Sequence, residues 1–391
     1  MSARSPFACF LALGLFWGGF AALIPDIKQQ VSATDGELGL ALLFVAVGSI
    51  PSMLLAGRLW RRLGWWLMPV GAVLFAASML PPIFATTPAM LGLAALLFGV
   101  SSGFLDVSMN AAVSDVEAAR GSRLMFGAHA TYSLGVFIAA IATGFMREAG
   151  LGPGPVLITV AAVTAAIGVG TVSSARTAQG PIGGPVAGNV APSAARAILL
   201  IAALSAAAFL VEDAIQNWSA LHLERGLGGS PALGGAAPGV YAGAMFIGRA
   251  LGQPLGARWS ERALLSGGAV IAAVGVAILA AAPSPAIALA GLALSGAGIS
   301  TIAPALFARA GRLAGKSGRA AAIARVTSLG YSGFILGPPL VGFIAQATDL
   351  RTAIASLSIL ALVVGIGGYL IMAGDGHRAT GNEEPLPTTR V

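Results

Sequence analysis

Apolar positions fill this chain in long unbroken runs, not in the alternation of half-buried strands or the narrow stripe of a surface helix. Each run lasts roughly 17–25 residues, the length an α-helix needs to cross the hydrocarbon core of a bilayer. The runs predict helices over 6–24, 38–57, 66–84, 89–111, 122–146, 152–173, 197–219, 236–256, 263–282, 285–308, 320–346 and 352–373. Pro81-Pro82, Gly152–Pro155 and Pro283–Pro285 mark turns between them. The pattern therefore predicts an all-α polytopic membrane protein of twelve transmembrane helices. The longest polar interruption, 174–196, is rich in Gly, Pro, Ser and Ala, and predicts a linker between six-helix halves over 1–173 and 197–373. Residues 374–391 read as a disordered tail. Arg4 ahead of the apolar run from Pro6 to Leu23 has the outline of a signal peptide, but the run is long and the chain stays apolar after it. It is expected to be a retained first helix.

The charges between the runs are distributed unevenly. One set of alternate loops, with both termini, holds 16 of the 22 Lys and Arg residues, including Arg58, Arg61, Arg62, Arg309, Arg312 and Lys316. The other set holds Lys28, Arg147, Arg225 and Arg351, while Arg249 and Arg325 fall inside predicted spans. By the positive-inside rule both termini are cytoplasmic and the number of crossings is even, a condition that twelve meets.

Composition narrows the function. The chain is 57% hydrophobic and 9% charged, with mean hydropathy +0.86. A soluble domain of this size needs far more charge on its surface. The formal charge of +7 is spread as topogenic clusters, without a continuous basic face or stacking aromatics, so nucleic acid is not an expected partner. The lone cysteine, Cys9, lies in the first span and permits no intramolecular disulfide. There is no Gly-rich phosphate loop with a Lys-Ser/Thr, no metal-ligand cluster, and no nucleophile with a positioned base. No cofactor, no metal and no enzymatic activity are expected; the energy must come from an ion gradient or from the solute's own.

The two halves echo one another at a nearly constant offset. Gly71-Ala72-Val73 matches Gly268-Ala269-Val270, Ser133-Leu134-Gly135 matches Ser328-Leu329-Gly330, and Gly57 with Trp60 matches Gly256 with Trp259. A parallel 6+6 repeat is the architecture of a rocking-bundle carrier, with its solute site near the midplane between the halves. On these residues the chain resembles the major facilitator superfamily, whose loop between helices 2 and 3 reads approximately G-x-L-x-D-R-x-G-R-K. The present loop has Gly57, Leu59, Arg62 and Gly64 in place, but Arg61 at the acidic position and Trp65-Trp66 at the final basic pair. The resemblance implies a conformational role for Gly57, Arg61, Arg62 and Gly64, and the family's charge relay through the acid is absent. Gly330-Tyr331-Ser332-Gly333 and Gly337-Pro338-Pro339 are similar to helix 11 of the family. A narrower likeness, to a bacterial inner-membrane branch, rests on Pro25-Asp26-Ile27-Lys28, Asp106–Asn110, His129, Glu212, Trp218-Ser219 and Gly248-Arg249. Relatives in that branch usually have aspartate where this chain has Asn217.

Ionisable groups inside a membrane span are costly, so each is a functional candidate. Asp106 and His129 flank one hairpin at similar distances from its turn, which predicts a facing pair able to carry a proton; a structural clamp between helices 4 and 5 fits equally. Asn110 lies one turn from Asp106. Glu212 shares a helix face with Gln216, and Arg249 is its candidate partner or a ligand for an anionic solute. Glu212 joins Asp106 and His129 as a proton-coupling candidate; Trp17, Phe20, Asn110, Gln216, Asn217 and Arg249 are the solute-binding candidates. Trp17 and Phe20 could stack on a flat solute, although aromatics in membrane helices more often pack or face lipid. Trp60, Trp65 and Trp66 read as an interfacial belt. The expected function is proton-coupled carriage of a small polar organic solute, with small-molecule solute, protons and the lipid bilayer as partners and a monomer as the working unit. The alternatives are a proton/drug antiporter and a non-transporting sensor on a carrier scaffold, with a passive channel third. The Gly-Pro that typically ends a Gly-rich stretch in helix 5 of drug antiporters is missing here. A sensor is expected to carry an added signalling segment, where this sequence has a short linker and a short tail after Ala373.

Overall fold

A computed structural model of the chain describes residues 3–120, 124–177, 192–256 and 258–373. These residues form fourteen α-helices: α1 (Arg4–Gln30), α2 (Asp35–Leu63), α3 (Leu67–Ser78), α4 (Pro88–Arg120), α5 (Met125–Glu148), α6 (Pro153–Thr177), α7 (Pro192–Leu221), α8 (Pro231–Gly256), α9 (Glu261–Ala281), α10 (Pro285–Ile299), α11 (Ile302–Leu313), α12 (Gly315–Gly330), α13 (Ser332–Ala347) and α14 (Leu350–Ala373). Ten segments are long and apolar enough to cross a membrane. One of them, 35–84, holds both α2 and α3, and the 26-residue α8 is a further helix, an arrangement consistent with the expected twelve crossings. The tenth and eleventh crossings are each broken in the middle, at Ser300-Thr301 and at Tyr331. Most of the expected linker and all of the expected tail lie outside the described residues, with α6 running to Thr177 and α7 starting at Pro192.

Local signals explain the ends. α4, α6, α7, α8 and α10 each begin on a proline, whose missing N–H is not needed in a first turn. α2 starts on a capping box: the Glu37 N–H donates to the Thr34 hydroxyl at 3.2 Å and the Thr34 N–H donates to the Glu37 carboxylate at 2.8 Å. It ends on Gly64, whose φ of 52° lies in the left-handed region that glycine enters freely. α1 runs past the expected end at 24, through Pro25 to Gln30, so Asp26 and Lys28 are helical and not in a loop.

Packing reproduces the repeat. In the first half α1 packs on α5, α2 on α4 and α3 on α6; in the second α7 packs on α12 and α13, α8 on α10 and α9 on α14. Gly71 of α3 abuts the backbone of α4 at Leu105, and Gly268 of α9 abuts α10 at Gly298, so the first sequence echo marks equivalent helix crossings. Across the halves α5 meets α8 and α2 meets α13. A Cβ on Gly235 of α8 would fall on the backbone of Gly144 in α5, and one on Gly39 of α2 would lie 3.1 Å from Pro339 in α13. These contacts belong to the arginine-poor ends of the helices.

Two expectations about tryptophan change. Trp60 and Trp65 are buried, at 7% and 2% exposure, and only Trp66 remains open for an interfacial role. The Trp65 indole donates to the buried carboxylate of Asp115 in α4 at 3.3 Å, an interior bond that holds the α2–α3 turn against α4.

Candidate solute and coupling site

The polar side chains of the interior gather where the halves face one another. Arg249 of α8 donates through Nη1 to the Ser133 hydroxyl of α5 at 2.6 Å and through Nη2 to Glu212 of α7 at 3.2 Å. Both members of the ion pair are 18% exposed. Gln216, one turn beyond Glu212, lies close to the hydroxyl of Tyr132 in α5, in the other half. Tyr331, at the break between α12 and α13, lies within electrostatic reach of Asp106, Tyr132 and Glu212. Its ring meets Phe334 at 5.5 Å and Phe209 at 6.0 Å, an aromatic wall on the second half.

On the first half Asn110 donates to the Asp106 carboxylate at 3.1 Å and to its backbone carbonyl at 2.9 Å, as expected for neighbours one turn apart. Both residues are half-buried. No hydrogen bond or ion pair joins Asp106 to His129 among the described residues; the His129 ring is exposed and sits edge-on to Phe10 of α1 at 5.1 Å. Depth along the hairpin placed the two residues at one level, but helix rotation turned His129 toward α1.

The aromatic candidates divide. Phe20 is 1% exposed and packs within a cluster with Phe16 and Phe98, at ring distances of 5.5 Å and 5.1 Å. In this conformation its ring is core and is closed to a solute. Trp17 is half-buried at the rim of the same cluster, edge-on to Phe98 at 5.9 Å. Asn217 is buried and bonds Asp213, not the residues around Arg249. Arg61 and Arg62 are exposed in the last turn of α2, Gly57 is open on its outer side, and Gly64 makes the turn.

A second charged cluster lies among residues that charge counting had placed with the loops. Arg147, near the end of α5, has a side chain 2% exposed. It donates to both oxygens of Asp26 in α1 at 2.7 Å and 2.5 Å, to the carbonyl of Ala22 at 2.8 Å, and to both oxygens of Glu224 at 2.6 Å and 3.0 Å. Glu224 belongs to a π-helical turn, His222–Gly226, that extends α7, so the guanidinium spans the halves. Nearby the Ala232 N–H donates to Glu148 at 3.0 Å and the Gly36 N–H donates to Gln346 at 2.9 Å, both across the same seam. His222, in the same π-helical turn as Glu224, is buried and bonds the Leu279 carbonyl at 3.1 Å.

A bundle of membrane-length helices, a two-fold internal repeat and a polar centre shared by the two halves define a polytopic membrane carrier. The chain belongs to the major facilitator superfamily. The family model described as Major Facilitator Superfamily matches residues 198–389. An uncharacterized MFS-type transporter of Yersinia pestis is 32% identical over 91% of this chain and 92% of its own length. Among solved structures, a point variant of the nucleoside transporter NupG superposes with TM-score 0.76 at 13% identity, covering 94% of this chain and 98% of that one. A point variant of the fucose:proton symporter FucP of E. coli superposes with TM-score 0.61 at 18% identity, covering 95% of this chain and 99% of that one.

Proposed function

We propose that this transporter moves a small polar organic solute by alternating access, with proton movement as the driving force. The observation that carries the reading is the Ser133–Arg249–Glu212 chain, in which one guanidinium joins an ion pair of the second half to a hydroxyl of the first. A solute with hydroxyl or carbonyl groups can compete for such donors and acceptors, and doing so alters the links between the halves. Tyr331 and Phe334 offer a ring face, and Asp106 with Asn110 offers polar contacts opposite. Asp106 and Glu212 are the ionisable groups whose protonation would couple to solute occupancy, with His129 at the edge of the site. That one fold neighbour is a fucose:proton symporter and another a nucleoside transporter supports a polyhydroxylated solute.

In this reading the chain sits in the bacterial inner membrane as a monomer with both termini cytoplasmic, as the arginine bias requires. The Arg147 seam then closes the outer side. Gly57, Arg61, Arg62 and Gly64 act at the inner surface when the halves change position.

The test is proton flux in proteoliposomes loaded with the purified chain and challenged with pools of sugars, nucleosides and weak organic acids. Solute-dependent proton movement in wild type, lost in Asp106→Asn, is the expected result. Solute entry without proton movement would overturn the coupling, and no solute-dependent flux of either kind would overturn the transport reading for those classes.

A further inference from the structure

One turn of α7 carries a negative charge that its surroundings leave uncompensated. Glu212 and Asp213 are consecutive, and the guanidinium beside them, Arg249, is bonded to Glu212 and Ser133. Asp213 relies on Asn217, whose amide donates to its Oδ1 at 2.9 Å and to its backbone carbonyl at 3.0 Å. Asp213 Oδ2 and Asn217 Oδ1 are both buried and have no hydrogen-bond partner. Asn217 is 5% exposed. Tyr241 of α8 is fully buried, its hydroxyl is equally unpartnered, and it feels the charges of Glu212, Asp213 and Arg249.

The far side of Asp213 is α13. A Cβ on Gly337 would stand 3.3 Å from Asp213 Oδ2, so the carboxylate approaches the bare backbone there. Pro338 and Pro339 follow at once and supply no N–H to the carbonyls of Phe334 and Ile335. Between Ser332 and Ala347 α13 has no titratable side chain. The titratable groups whose charges reach Asp213 are Glu212 on its own helix, Tyr241 on α8 and Tyr132 on α5, while Arg249 is engaged by Glu212 and Ser133.

Two carboxylates against one guanidinium leave one negative charge, and a buried uncompensated charge is destabilising. The unpartnered atoms on Asp213 and Asn217 are both acceptors, and the Tyr241 oxygen can turn to be a third. Acceptors without a donor suit a small cation; an anion would add to the excess charge. We propose that Asp213 and Asn217 bind one small monovalent cation, a proton or a sodium ion, and that its occupancy acts beside Asp106 and Glu212 in coupling. A proton on Asp213 Oδ2 removes the charge and turns that acceptor into a donor. A sodium ion would be held by the unpartnered oxygens of Asp213 and Asn217. The coupling role rests on the transport reading above; the binding site does not.

The experiment uses the full chain in lipid nanodiscs with no solute present. The midpoint of thermal unfolding is followed as sodium chloride replaces choline chloride at constant ionic strength. The infrared band of protonated carboxyl groups is followed as the pH is lowered. A saturable rise in midpoint with sodium, lost in Asp213→Asn, assigns sodium. A carboxyl band that appears on acidification and is lost in Asp213→Asn, without a sodium effect, assigns the proton. Asn217→Ala should weaken either response and Asn217→Asp should retain it, which keeps the test decisive if Asp213→Asn folds poorly. Responses identical in wild type, Asp213→Asn and Asn217→Ala, or no response to either ion in wild type, would overturn the site. A chain that binds the cation here yet moves no solute in liposomes counts against the transport reading alone.

Discussion

The Ser133 hydroxyl of α5 accepts a 2.6 Å hydrogen bond from Arg249 of α8, although the two residues stand 116 positions apart in opposite halves of the molecule. The guanidinium keeps Glu212 at 3.2 Å as its partner within its own half. Separation of the halves breaks the first bond and leaves the second, so Arg249 never faces the interior unpaired.

Arg249→Gln leaves Glu212 without a cation, and breaking one side of a buried pair costs about 3–5 kcal/mol. The double variant Arg249→Gln with Glu212→Gln should recover much of that loss. Unfolding of the purified variants in detergent measures both, and a fully additive cycle would contradict the pairing.

Ser133→Ala removes a link between the halves and keeps the ion pair. A hydrogen bond to a charged group contributes about 1.5–3 kcal/mol. Thermal stability should fall modestly, while spin-label distances between α5 and α8 should broaden toward the separated state.

Charge pairs such as these were only half legible from the chain. The twelve crossings, their ends at proline and the equivalence of α3 and α9 follow from hydropathy, turn residues and the glycine echo. The Glu212–Gln216 face and the Asp106–Asn110 contact follow from the helical period, as the Asp213–Asn217 contact would have. Rotation of one helix against another does not, which is why His129 was assigned to Asp106 and lies against Phe10. Arg147 was counted among the loop charges because its position near a helix end is what a topogenic arginine also shows. Nothing local in the sequence pairs it with Asp26, 121 positions away, or with Glu224, 77 positions away.

Gly235→Val places side-chain atoms on the backbone of Gly144. Backbone cannot yield as a side-chain tip can, so the arginine-poor seam should be held open. A cysteine at Ala232, in a background with Cys9 replaced by serine, should then react faster with a membrane-impermeant thiol reagent. The natural glycine at 235 should protect it.

Trp65→Phe keeps the ring volume and removes the donor to Asp115. A buried acceptor left unsatisfied costs about 1–3 kcal/mol. The midpoint of thermal unfolding should drop, and Trp65→Phe with Asp115→Leu should be milder than Trp65→Phe alone.

Arg147→Gln should increase labelling at Ala232 in the same way as Gly235→Val, but through lost attraction instead of added bulk. Glu224→Gln should open the seam as well. Asp26→Asn should cost stability with less effect on opening, and equal labelling in Asp26→Asn and Glu224→Gln would contradict that difference.

That difference follows from who travels with whom. A Cβ on Gly135 of α5 would stand 3.1 Å from Gly14 of α1, backbone against backbone, so these two helices shift as one plank. Asp26 and Arg147 ride on that plank together; Glu224 rides on the other side. When the seam parts, the guanidinium takes its aspartate along and stays neutralised, and the glutamate, 13% exposed while shut, is delivered to water that can solvate it. On the alternating-access proposal the latch is fastened on one leaf of the door, so undoing it strands no charge in the dry interior.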